Sequence, residues 1–138
     1  MPDYFQSQYS KIKGTAPLEI ERKAKAHYEI FAKHAGRRQA FIRSAYFKKE
    51  KVFLKTFWDH IYAKSRKDRE RRLRFYICAL DLIANTRKTP VEKAVGSDTL
   101  FRFYGKAKDG CMFIVQIKRD KNNKKFHMSV FPPHHQDD

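Results

Sequence analysis

Apolar residues recur at helical spacing through the first two thirds of the chain and alternate in the last third. Leu18, Ile20, Ala24, Tyr28, Phe31 and Ala32 predict an amphipathic helix from Leu18 to Ala35, with Gly36 as its stop. Phe53, Leu54, Phe57, Trp58, Ile61 and Tyr62 fall on one face of a second helix. Beyond the highly charged run Lys64–Arg72, Leu73, Tyr76, Ile77, Leu80, Ile83 and Ala84 predict a third, ended by Asn85-Thr86 and Pro90. Residues 1–16 are polar, punctuated by Gly14 and Pro17, and read as an arm or loosely docked lead-in. Residues 37–50 interleave Arg37, Arg38, Arg43, Lys48 and Lys49 with Phe41, Tyr46 and Phe47, and no period assigns them.

The segments Leu100–Lys106, Cys111–Asp120 and Lys125–Phe131 alternate and are rich in aromatic and β-branched residues, as strands are. Gly105 and Gly110 bracket the first turn, Asn122-Asn123 marks the second, and Pro132-Pro133 ends the sheet. The expected fold class is α+β, with N-terminal helices packed on one face of a small C-terminal antiparallel meander. Residues 1–50 read as a basic arm and helix, 51–133 as the α+β domain and 134–138 as a tail.

A two-residue loop at Asn122-Asn123 fixes a register. Arg119 then faces Phe126, Lys118 faces His127, Ile117 faces Met128, Gln116 faces Ser129 and Val115 faces Val130. One face carries Phe113, Val115, Ile117, Phe126, Met128 and Val130, which suits a helix-covered back. The other carries Gln116, Lys118, His127 and Ser129, joined by Arg102 and Tyr104 if Phe101 and Phe103 enter the core.

The charge gives that polar face a partner. The 138 residues carry 31 Lys plus Arg against 15 Asp plus Glu, a formal charge of +16. Self-repulsion of this size is tolerated where the partner is a polyanion. With 12 Phe and 7 Tyr the chain is not a disordered tail. No apolar run is long enough to span a membrane, and the N-terminal residues lack the pattern of a signal peptide. Cys78 and Cys111 make neither a disulfide framework nor a zinc pattern, so a reducing, cytoplasmic setting is the default. Phosphate-cradling and zinc-protease motifs are absent, and the polar face is poor in acids, which argues against two-metal catalysis; no cofactor or metal is expected.

Metal-independent RNA cleavage by 2′-OH attack needs an acid and a base, and cations for the transition-state charge. His127 supplies a ring that titrates near neutrality, Lys118 and Arg102 supply charge, Tyr104 a stacking or proton-donating ring, and Gln116 and Ser129 hydrogen bonds. The bland alternative is a solvated face, polar as any exposed face is and basic by composition. In Lys64–Arg72 the charges alternate as in a solvated helix face, yet excess positive charge remains, making Arg66, Arg69 and Arg72, with Lys106 on the first strand, candidates for phosphate contacts. The stretch Phe41–Phe57 reads as core and helix docking rather than base stacking, and His134-His135 as a poor metal site.

The segment Phe57-Trp58-Asp59-His60-Ile61, the basic run through Arg72, the helix to Ile83 followed by Asn85, and three strands ending in Ser129-Val130-Phe131-Pro132 resemble the small nuclease domains grouped with barnase, EndoU, the tRNase colicins and RelE. The resemblance covers about residues 53–132. It implies an active site on the open sheet face, with His60 on the helix and Tyr104, Lys118 and Ser129 on the strands. Where that group often has a second His, this chain offers Lys64 or Ser65, and Ser129 stands where Thr is common. The expected function is a toxin-like endoribonuclease acting on tRNA or ribosome-bound RNA, with His60 and His127 as acid and base. Its rivals are a non-catalytic nucleic-acid-binding protein on the same scaffold and a basic module docking an acidic inhibitor protein.

Overall fold

In the computed structural model, which describes residues 3–133, the strands and helices run in the order Tyr4–Gln6 (β1), Pro17–Ala35 (α1), Phe41–Ser44 (β2), Glu50–Phe53 (β3), Lys55–Ile61 (α2), Arg66–Leu73 (α3), Tyr76–Asn85 (α4), Val91–Val95 (β4), Asp98–Lys106 (β5), Met112–Arg119 (β6) and Lys125–Phe131 (β7). Pro17 opens α1, where its missing N–H costs nothing. Gly36 ends that helix at φ 66°, in the left-handed region that glycine tolerates.

The charged run, expected to precede a helix, is itself α3. Ser65 caps it by accepting from the Asp68 N–H at 3.3 Å. Asp68 then holds Arg71 and Arg72, and Glu70 holds Arg74 at 3.1 Å. These i,i+3 and i,i+4 pairs answer the missing apolar period. Leu73 and Arg72 are the residues α3 buries.

The fold is mixed α/β, and the expected meander is one part of it. The strands β5, β6 and β7 pair antiparallel as anticipated, but the sheet has seven strands in the order β1-β5-β6-β7-β3-β2, with β4 also on β5. Two junctions are parallel, β1 with β5 and β3 with β7. The lead-in is therefore a strand rather than an arm. Asp81 of α4 fixes it, accepting from Ser7 Oγ at 2.8 Å and from the Gln8 N–H at 3.1 Å. The unassigned stretch 37–50 supplies β2 and the start of β3, and the expected boundary after residue 50 falls inside β3. The expected tail, 134–138, with His134-His135, lies outside the described residues.

One face of the sheet builds the core. Phe101, Phe103, Phe113, Val115, Ile117 and Val130 join Ile20 and Ala24 of α1, Phe57 and Trp58 of α2, Leu73 of α3, and Tyr76, Ala79 and Leu82 of α4 in one cluster. Trp58 Nε1 donates to Tyr76 Oη at 3.0 Å, so the one tryptophan is satisfied inside it.

The register follows the expectation in one half only. The loop between β6 and β7 comprises Lys121, Asn122 and Asn123. Asp120 and Lys124 are joined across it, Asp120 N–H to Lys124 O at 2.9 Å, and of the two Asn only Asn123 has positive φ, at 65°. The Asp120 carboxylate accepts from the N–H groups of Asn122 and Lys124, each at 2.9 Å. This turn, longer by one residue than an Asn-Asn type I′ turn, pairs Arg119 with Lys125, Lys118 with Phe126 and Ile117 with His127. A bulge at Met128 absorbs the offset, and from Gln116–Ser129 onward the expected pairs hold.

Gly105 faces the Phe113 ring across β5 and β6, and a Cβ there would lie 2.4 Å from Phe113 Cζ. Phe113 is fully buried and stacks on Phe75 with centroids 5.6 Å apart, so it cannot yield. Gly105→Ala is expected to cost about 1–3 kcal/mol through overpacking. The check is the urea midpoint, which should fall with the slope unchanged; an unaltered midpoint would show that the ring moves freely.

Candidate nucleic-acid interface

Alternation along β5 and β6 turns Arg102, Tyr104, Lys106, Gln116 and Lys118 away from the core, and Ser129 of β7 lies beside Gln116. The open face thus gathers these six predicted residues. Arg102 Nε donates to Gln116 Oε1 at 3.1 Å, which sets the guanidinium over the middle of the face. Lys106 lies toward the β1 edge, its Nζ 5.9 Å from the centre of the Tyr4 ring.

Register also lines up residues that sequence reasoning placed elsewhere. Phe41 of β2 is opposite Phe53 of β3, Phe53 opposite Phe126 of β7, and Phe126 opposite Lys118 of β6. These four form a transverse row on the open face. The rings of Phe53 and Phe126 are 6.0 Å apart, and Lys118 Nζ lies 5.7 Å from the Phe126 ring. All four are half-buried, as side chains lying along a sheet are. Arg43 and Lys51 form the next pair along β2 and β3 on the same side. Three cations approach the Phe41 ring: Lys51 Nζ at 4.6 Å, Arg38 at 5.3 Å and Arg43 at 5.6 Å. The period of two in Phe41-Ile42-Arg43-Ser44 and Lys51-Val52-Phe53 was the available signal for this patch. Reading Phe41–Phe57 as core and docking holds for Phe47 and Phe57, which are buried, and fails for Phe41 and Phe53.

His127 is not on this face. The register offset turns it into the core, where it is fully buried. Its ring stacks on Phe57 at 4.8 Å with an interplanar angle of 2°, and lies 6.2 Å from Tyr76. The neutral ring can donate from Nε2 to the Ser129 carbonyl at 3.2 Å, a contact that spans the Met128 bulge. Burial lowers its pKa to about 4, with the Ser129 contact opposing only weakly. A ring held there meets no substrate on the open face. Its expected neighbours Phe126 and Met128 are correspondingly absent from the core cluster.

His60 is exposed on α2. That helix packs on the core side of β7 through the Phe57–His127 stack, so the sheet separates His60 from Lys118. On α3, Arg66 is exposed, whereas Arg69 sits 3.7 Å from Glu21 and 5.6 Å from the Tyr62 ring. Arg72 is buried; its Nε donates to Asp68 Oδ2 at 3.1 Å, and its guanidinium lies 5.5 Å from the Phe131 ring, with Arg102 at 5.6 Å from the same ring. The three arginines do not make one exposed track. Among the described residues no group of three His, Cys, Asp or Glu is placed to hold a metal ion, and no helix is long and apolar enough to cross a membrane.

A cavity of about 470 Å³ opens where β6 begins and β7 ends, with Lys11, Arg71, Arg74 and Phe75 in its wall. Arg71 and Arg74 there already hold Asp68 and Glu70. No family model, no curated protein and no solved structure matches the chain.

The His127 environment sets a pH dependence. Its folded pKa, about 4, lies below the ordinary 6.5, so above pH 6.5 both states are neutral and nothing is lost. As the pH falls from 6.5 toward 4 the unfolded chain takes up a proton that the folded chain refuses, and about 3 kcal/mol of stability goes. His127→Phe, which keeps a ring against Phe57, should show a smaller loss of unfolding free energy between pH 7 and pH 4.5 than the parent. Parallel stability curves for the two proteins would refute the buried neutral imidazole.

Proposed function

We propose that this protein binds nucleic acid through the open face of its sheet and does not cut it. The transverse row Phe41–Phe53–Phe126–Lys118, bordered by Arg38, Arg43, Lys51 and Arg102, carries this reading. Aromatic faces interleaved with cations answer the two parts of a nucleotide, the base that stacks and the phosphate that needs charge. Gln116 and Ser129 between them offer hydrogen bonds to base edges or sugar hydroxyls. The formal charge of +16 supplies the long-range attraction.

The endoribonuclease expectation rests on an acid and a base that face one substrate. His127 is in the core and His60 is across the sheet, so the face retains cations and neutral donors without that pair. A binding surface spreads its energy over many contacts, and each single loss is modest.

The test is fluorescence anisotropy with labelled RNA and DNA across a salt series. Affinity should fall steeply with salt, and Arg102→Ala/Lys118→Ala should flatten the log–log slope by about 1.5, roughly 0.7–0.9 for each lost phosphate contact. The same RNA incubated in EDTA should stay intact. Discrete fragments that vanish in His60→Ala would restore the nuclease, and salt-insensitive or absent binding would end the nucleic-acid reading.

A further inference from the structure

We infer that the corner of the open face at Phe41 is a site for an unpaired nucleotide, its base stacked on the ring and its phosphate held by Arg38, Arg43 and Lys51, so that the ligand is single-stranded. This rests on the sheet-face reading above and names its substrate class.

Three like charges converge on one aromatic ring there. Among the described residues none of the three lies within ion-pairing distance of a carboxylate, in contrast to Arg71 and Arg72 on α3 and Arg74 just after it, each of which holds one. The ring quadrupole offsets such repulsion only weakly at an exposed site. An arriving phosphate offsets it far better, because each cation gains an opposite charge at contact distance.

The cations are partly fixed. Arg43 Nη1 donates to the Lys49 carbonyl at 3.1 Å, and Arg38 Nε to the Ala35 carbonyl at 3.3 Å. Each guanidinium has five N–H donors, so most of its fork is left for an anion.

The geometry also selects the form of the ligand. A ring lying on a sheet stacks only on a base whose own face is free, and duplex bases are covered by their neighbours. The Phe53 and Phe126 rings are 6.0 Å apart, wider than the about 3.4 Å rise of a duplex strand. A strand crossing these rings is therefore extended. It leaves the sheet over β2, the last strand of the order, where Phe41 and its cations meet it.

The experiment measures anisotropy of a short labelled oligouridine, free and annealed to its complement, against the full chain. The single strand should bind at least about tenfold tighter than the duplex, and Phe41→Leu should remove about tenfold without changing the salt slope. Replacing Arg38, Arg43 and Lys51 together by Gln should flatten the slope by about two. Phe41→Trp should keep binding, with indole fluorescence quenched by the single strand, which guards against a misfolded Leu variant. Equal affinity for duplex, or a Phe41→Leu protein that binds as the parent does, overturns the corner site; the sheet-face reading survives that result if Arg102→Ala/Lys118→Ala still weakens binding. No binding by the parent removes both. Polyglutamate that displaces the oligonucleotide and binds with equal affinity to parent and Phe41→Leu protein assigns the corner to an acidic protein and overturns the nucleotide site.

Discussion

The bulge at Met128 exchanges the two sides of β7 over the stretch between the turn and Ser129, and both faces of the sheet depend on it. A side-chain period of two means that one extra residue reverses every orientation until a second irregularity restores it. The loop Lys121–Asn123 introduces the offset, and Asp120 holds that loop by accepting two backbone N–H groups. The bulge then takes the offset out. Between them Phe126 goes outward to meet Phe53 and Lys118, and His127 goes inward to stack on Phe57. The aromatic row and the buried imidazole are two results of one backbone event. The His127 contact to the Ser129 carbonyl closes over the bulge and ties the core to the irregularity that shaped it.

The positive charge is arranged unevenly with respect to its partners. On α3 Arg69, Arg71 and Arg72 are paired with Glu21 and Asp68, Arg74 just beyond it with Glu70, and Arg72 is sealed from solvent. Lys125 is likewise buried and hydrogen-bonded to Glu50 and Asn123. These cations serve packing. Around Phe41 the same residue types approach an aromatic ring, and among the described residues none of the three is ion-paired to a carboxylate. A basic run in the sequence is therefore a poor guide to a basic site; what matters is which cations the fold leaves without an anion.

Much of this was legible in the sequence, and the exceptions have physical causes. The apolar period gave α1 and α4 close to their observed limits, and alternation gave β5, β6 and β7. It missed α3, because that helix is held by ion pairs and a Ser65 cap rather than an apolar stripe. It missed β1, β2 and β3 because each has only three or four residues, too few for a period to show, and because β1 and β3 join the rest of the sheet through parallel partners far along the chain. On the candidate face, Arg102, Tyr104, Lys106, Gln116, Lys118 and Ser129 were foreseen, since they lie on β5 or beyond the bulge or on β6, whose parity the turn does not alter. His127 and Phe126 were exchanged because Asn-Asn satisfies two turn lengths, and Asp120, which selects the longer, sits just outside the dipeptide. Phe41 and Phe53 were assigned to the core because a half-buried ring on a sheet face and a buried one look alike without knowledge of which side the helices cover.

The same exchange bears on binding against catalysis. A general acid or base must titrate near the working pH and reach the substrate. Moving His127 inward defeats both conditions at once: burial holds it neutral, with a pKa of about 4, and the sheet stands between it and Lys118. The outward residue that takes its place, Phe126, can neither accept nor donate a proton, but it extends the row of rings begun by Phe41 and Phe53. One backbone irregularity thus trades a titratable group for an aromatic ring on the face that also carries Arg102, Gln116, Lys118 and Ser129. For the binding surface proposed above, affinity is gained by adding contacts along a strand and is set by the number of phosphates neutralised.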